Sequence, residues 1–151
     1  MSELRLRRRL LGIDLGRARI GVAVSDELGM LAHPLETIPA GGDAVKRIAR
    51  IAQEKNAERV IVGLPRHMNG TVGTGATEAL AFADKLRALV SCEVVTWDER
   101  LTTTAANRAL RASGRKTRES RGVVDQVAAQ MILQGYLDSL PAVQIPDAPE
   151  S

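Results

Sequence analysis

Two apolar runs near the start of the chain, residues 10–15 and 20–24, are separated only by Gly16, Arg17, Ala18 and Arg19. Four residues cannot return the chain to the same edge for parallel pairing, which takes roughly a dozen or more. The two runs are therefore predicted to be antiparallel strands joined by a hairpin turn. A third, weaker strand is expected around residues 31–38. Pro34 marks it as an edge strand, because proline has no N–H to give to a ladder. The pattern then changes. Asp43 is placed to cap a helix whose apolar residues Val45, Ile48, Ala49 and Ala52 recur at intervals of three and four. Residues 60–64 read as a compact strand closed by Pro65, 66–75 as a polar, glycine-rich loop, 76–89 as a second helix and 94–97 as a fifth strand. Thr102, Thr103 and Thr104 supply cap hydroxyls for a helix near 103–112. Residues 113–120 read as a basic loop, and a last helix spans about 122–140. Antiparallel strands followed by alternating helix and strand describe an α/β domain built on a mixed sheet. It is expected over residues 1–140, with a polar, disordered tail over 141–151.

Composition narrows what such a domain can do. Phe82, Trp97 and Tyr136 are the whole aromatic set in 151 residues. That scarcity argues against gripping single strands by base stacking, but leaves binding through phosphates open. Cys92 is the only cysteine, and His33 and His67 are the only histidines. An internal disulfide is excluded and a structural zinc site is not expected. No apolar run approaches the roughly 18 residues of a membrane span. The basic start is followed by an apolar stretch that Asp14 and two glycines interrupt, unlike a signal peptide, so a reducing cytoplasm is the expected setting. The net charge is only +3, yet residues 100–121 carry Arg100, Arg108, Arg111, Arg115, Lys116, Arg118 and Arg121 against the single acid Glu119. Arg17 and Arg19 follow a second basic cluster at the N-terminus. Positive charge concentrated in this way attracts a polyanion through steering and counterion release.

Three acids stand where acids cost energy. Alternation along Gly12-Ile13-Asp14-Leu15-Gly16 puts Ile13 and Leu15 on one face of the first strand with Leu11, and Asp14 on the other between two glycines. A carboxylate with cleared space around it suits a metal ion and an approaching phosphate. Asp125 falls among Ala128, Ala129, Ile132 and Tyr136 on the last helix, inside the stripe that faces the core, while Gln126, Gln130, Gln134 and Asp138 form a separate polar arc. A charge in that stripe must meet an arginine, a metal ion or a proton. Asp98 and Glu99 follow the fifth strand, at the end of the sheet where open α/β folds place their sites. Hard oxygen ligands drawn from separate elements suit Mg²⁺ or Mn²⁺, and two such ions can promote phosphodiester hydrolysis. An acidic centre with basic surroundings reads as a nuclease.

These residues also carry a resemblance. Gly12-Ile13-Asp14-Leu15-Gly16, Arg19-Ile20-Gly21-Val22-Ala23-Val24-Ser25-Asp26, Gly63-Leu64-Pro65, Asn69-Gly70, Asp98-Glu99-Arg100-Leu101-Thr102-Thr103 and Asp125-Gln126-Val127-Ala128-Ala129 occur in the order and spacing of the YqgF/RuvX family. The chain resembles that family over about residues 9–138. Its bacterial members are described as pre-16S ribosomal RNA nucleases and also as Holliday junction resolvases. The resemblance implies a ribonuclease H-like fold, with a five-stranded mixed sheet and helices on both faces. It implies metal-dependent hydrolysis, with Asp14, Glu99 and Asp125 holding Mg²⁺ or Mn²⁺, two ions once substrate is bound. Glu99 is favoured over its neighbour Asp98. Arg17, Arg19, Arg100, Arg115, Lys116, Arg118 and Arg121 are expected to contact nucleic acid, and a resolvase would need a homodimer. Two departures stand out: Ala18 splits a pair of basic residues often adjacent in relatives, and Ala128 and Ala129 stand where junction resolvases place a fourth acid. An actin-like ATPase lobe also opens on a strand-borne Asp-Leu-Gly, but needs a second lobe and a second phosphate loop. A binding module without catalysis would gain nothing from acids facing a polyanion.

Overall fold

The computed structural model describes residues 9–65, 74–99 and 118–141. Five strands form one sheet: β1 (Leu10–Leu15), β2 (Arg19–Ser25), β3 (Ala32–Pro39), β4 (Arg59–Leu64) and β5 (Glu93–Asp98). Their spatial order is β3-β2-β1-β4-β5. The short first turn does what its length requires, with β1 and β2 antiparallel and Asp14 directly opposite Gly21. β3 continues the meander as an antiparallel edge strand. Helix α1 (Ala44–Glu54) precedes β4 and α2 (Thr74–Arg87) precedes β5, and both of these strands run parallel to β1's direction. Helix α3 (Arg118–Ser139) follows. The mixed sheet and all five expected strands are present, with ends shifted by one residue or so.

Strand alternation divides the core in two. Leu11, Ile13, Ile20, Val22, Val60, Val62 and Val94 pack on one face with Ile48 of α1 and Phe82 and Leu86 of α2. Leu10, Ala23 and Ile61 pack on the other with Ala129, Ile132, Leu133 and Leu137 of α3. Helices therefore cover both faces, and α3 covers the face that carries Gly12 and Asp14. Near the end of α3, Tyr136 meets Trp97 of β5 edge to face at 5.6 Å and accepts a hydrogen bond from Arg59 of β4 at 2.6 Å.

The local expectations are corrected in two places. Asp43 occupies the cap position of α1, but its side chain makes no cap hydrogen bond. Its backbone is already helical, at φ −91° and ψ −2°, whereas a capping side chain needs an extended residue to fold back over the first turn. The Ala44 N–H instead donates to the Gly41 carbonyl. Helix α3 begins at Arg118, inside the expected basic loop over 113–120. Arginine and glutamate are good helix formers, so this first turn needs no apolar stripe of its own. The expected helix over 103–112, most of the loop over 66–75 and nearly all of the tail over 141–151 lie outside the described residues.

The polar arc of α3 has structural work. Gln134 accepts from the Ala32 N–H through Oε1 at 2.8 Å and donates to the Met30 carbonyl through Nε2 at 2.9 Å. Gln130 donates to the Ala32 carbonyl at 2.9 Å. Two glutamines one turn apart thus satisfy both backbone groups of the residue that opens the edge strand. Replacing Gln134 with Ala is expected to destabilise the protein by about 1–2 kcal/mol, because the part-buried Ala32 N–H loses its partner and the exposed Met30 carbonyl loses a donor. Urea denaturation measures it; an unchanged midpoint would show that the bonds contribute nothing net.

Candidate active site

The site is built on the sheet face beneath α3. Asp14 reaches this face from β1, the central strand. Its cross-strand partner on β2 is Gly21. On the β4 side the last registered pair is Ile13 with Val62, and Gly63 follows at once. Gly12 and Gly16 flank Asp14 along its own strand. The carboxylate therefore stands in a floor from which side chains have been removed in both directions. The sequence reading found Gly12 and Gly16; Gly21 and Gly63 belong to the same floor, but only cross-strand register brings them there.

The floor is what lets α3 come down onto the sheet. A Cβ on Gly12 would lie 2.6 Å from Leu133 Cβ, and one on Gly21 would overlap the Asp125 carbonyl oxygen. The backbone at Asp125 thus rests directly on the strand residue paired with Asp14. A Cβ on Gly63 would come within 2.5 Å of Ile132 Cδ1 and 2.9 Å of Glu99 Oε2, which places the Glu99 carboxylate over the same floor. Alternation in β5 explains the choice between the adjacent acids. Val94 packs on the α1–α2 face, whereas Val95 and Trp97 pack against α3. Glu99 shares their parity and Asp98 shares that of Val94.

Glu99 and Asp125 both act electrically on Asp14. Burial, then the negative charges of Glu99 and Asp125, push the Asp14 carboxyl up to about 7 from an ordinary 3.8. Asp125 has a cation of its own: Arg19, on the same sheet face as Gly21, donates from Nε to Asp125 Oδ2 at 2.7 Å. The arginine expected at the nucleic acid is thus engaged with one of the three acids. Arg17 is exposed in the β1–β2 turn. Arg100, Arg115 and Lys116 lie outside the described residues. Arg118 and Arg121 lie on α3 with side chains that are likewise not described.

The donor chemistry, carboxylate oxygens drawn from separate elements onto one sheet face, is that of a hard divalent cation. As the side chains stand, no three His, Cys, Asp or Glu among the described residues are close enough together to hold one ion. Among the described residues, no helix is long and apolar enough to cross a membrane.

Comparison with known proteins agrees with this architecture. A solved structure titled as T. thermophilus RuvC in complex with Holliday junction substrate superimposes with a TM-score of 0.57 at 16% identity, covering 87% of this chain and 96% of that one. The fowlpox virus Holliday junction resolvase gives 0.51 at 13% identity, covering 87% and 99%. These likenesses establish a shared ribonuclease H-like fold. Sequence relatives are much nearer. A protein of Acetivibrio thermocellus named "Putative pre-16S rRNA nuclease" is 49% identical over 135 residues, covering 87% of this chain and 96% of its own length. One of the same name from Nocardia farcinica is 49% identical over 146 residues, covering 91% and 81%. The family profile described as "RuvX: Holliday junction resolvase" matches residues 8–139. With identity of this order sustained over nearly the whole fold, the chain belongs to the RuvX family of nucleases.

Proposed function

We propose that this chain is a divalent-metal-dependent nuclease of the cytoplasm that hydrolyses phosphodiester bonds in maturing the 5′ end of pre-16S ribosomal RNA. The observation that carries the reading is Asp14 in its glycine-cleared floor, with two further carboxylates acting on it. Asp14, Glu99 and Asp125 are the residues that would hold Mg²⁺ or Mn²⁺, two ions with substrate bound. When bound there, such ions supply an activated water and neutralise charge building up on the phosphate and the leaving oxygen.

The chain's own residues supply position and field. β1 presents Asp14 at the centre of the sheet, the end of β5 presents Glu99 and α3 presents Asp125, so that three rigid elements fix the three acids. Missing side chains at residues 12, 21 and 63 let α3 settle onto the sheet face that carries Asp14, which brings Asp125 to it. Arg17, together with Arg100, Arg115, Lys116, Arg118 and Arg121, draws in the polyanion and offsets the repulsion between its phosphates and the acids.

The test is a cleavage assay in Mg²⁺ or Mn²⁺ with single-stranded RNA, a precursor ribosomal RNA 5′ segment, single-stranded DNA and a four-way DNA junction. Cleavage confined to RNA is expected. It should be lost in Glu99→Gln and stay within about threefold of wild type in Asp98→Asn, whose side chain belongs to the other face of the strand. Loss in Asp98→Asn with retention in Glu99→Gln would reverse the assignment. Symmetric nicking of the junction without RNA cleavage would replace the reading with that of a resolvase acting as a symmetric dimer. Binding without turnover at any metal concentration would make the chain a binding module.

A further inference from the structure

We propose that Arg19 is the resident counter-ion of the carboxylate site: it holds Asp125 until a divalent cation displaces it, and so sets the affinity of the site for metal. The inference rests on the assignment of Asp14, Glu99 and Asp125 as the metal-holding acids. It begins from a mismatch. These three acids lie on one sheet face and two of them act electrically on the third, yet no three acids among the described residues are close enough to share an ion. The interaction at Asp125 bears on it: Oδ2, an oxygen a metal would use, is held by the Arg19 guanidinium at 2.7 Å.

The geometry of this pair suits exchange better than permanence. Contact is made by Nε to a single oxygen. A side-on, two-point grip between guanidinium and carboxylate would be the tighter arrangement. The side chains are 39% and 22% exposed, so a small hydrated ion can reach them. The backbones on both sides are fixed. Arg19 pairs with Pro39 of β3 and its carbonyl accepts from the Gly16 N–H at 3.0 Å, while the Asp125 backbone rests on Gly21. Release therefore needs only side-chain rotation, with no movement of helix or strand. Charge balance points the same way. Without metal, Arg19 offsets the negative charge of Asp125. Once a divalent cation arrives, a guanidinium in the same place adds repulsion.

The experiment titrates Mn²⁺ into the nucleic-acid-free protein and reads free ion by electron paramagnetic resonance, alongside the thermal midpoint with and without metal. Arg19→Gln is expected to bind Mn²⁺ about tenfold more tightly than wild type and to gain a larger midpoint rise at saturation. Arg19→Lys keeps the charge and should stay near the wild-type affinity. Unchanged or weaker binding in a folded Arg19→Gln overturns the proposal. In the wild-type protein itself, the Arg19 Nε–H should be protected from solvent exchange without metal and should lose that protection when Mg²⁺ saturates the site. Protection that survives saturation also overturns it. Asp14→Asn separates the two levels. If it leaves Mn²⁺ affinity unchanged, the assignment of the metal-holding acids falls. If it weakens binding while Arg19→Gln does not tighten it, only the role of Arg19 falls.

Discussion

Replacing Asp14 with Asn is expected to abolish cleavage and, at the same time, to make the metal-free protein more stable above pH 7. The two effects have one cause. The Asp14 carboxyl is pushed up to about 7 by burial and by Glu99 and Asp125, against 3.8 in an ordinary environment. Between those values the folded protein keeps a proton that the unfolded chain has lost. Stability that is fully present below pH 3.8 is therefore lost as the pH rises through about 7. The whole effect is on the order of 4 kcal/mol. Asparagine removes it, so at pH 8 without metal the variant should melt about 8–16 °C above wild type. A divalent cation offsets the same repulsion, so saturating Mg²⁺ should narrow or reverse the gap. Activity should fall by about a thousandfold or more, because metal stabilisation of the phosphate charge is worth several kcal/mol. Melting curves at pH 5 and pH 8, with and without Mg²⁺, check the first part. A variant that melts below wild type at pH 8 without metal would show that the site is not strained by charge.

The second large effect concerns Gly21. An alanine there would drive its Cβ into the Asp125 carbonyl oxygen, which is helix backbone and cannot rotate aside. Gly21→Ala must either lift α3 from the sheet or bend β2, and a loss of about 3 kcal/mol or more is expected. Gly41→Ala is the control. A Cβ at that position has no heavy atom within 4 Å, so stability should change by less than about 1 kcal/mol. Denaturant midpoints for the pair measure the difference, and equal stability would show that the close approach of helix and strand is not needed. If Gly21→Ala folds, its metal affinity should fall with its stability, because Asp125 moves with the helix.

Features with a short period or a short span were legible in the sequence. Two-residue alternation put Asp14 between Gly12 and Gly16 on the face away from Ile13, and that is where it lies. Helical spacing put Asp125 on the stripe of α3 that faces the sheet. A four-residue turn forced the antiparallel start of the sheet. Contacts set by register and docking were not legible. Gly21 and Gly63 reach Asp14 only through strand pairing, and Arg19 meets Asp125 across 106 positions of chain. Gln130 and Gln134 read as a polar arc, but nothing in helical period says that the arc meets the end of an edge strand. The choice of Glu99 over Asp98 came from family resemblance, although a signal was present. Carrying the alternation of Val95 and Trp97 one step past the strand end puts Glu99, and not Asp98, on the α3 face.

The three acids are also ordered in time. β1 leaves the ribosome first with Asp14, β5 follows much later with Glu99, and α3, the last of the described elements, brings Asp125. Until α3 emerges, the sheet face formed by Leu10, Ala23 and Ile61 lacks its helical cover and the site lacks one acid. A nascent chain still without that helix therefore has neither the cover of that face nor the Asp125 carboxylate beside Asp14.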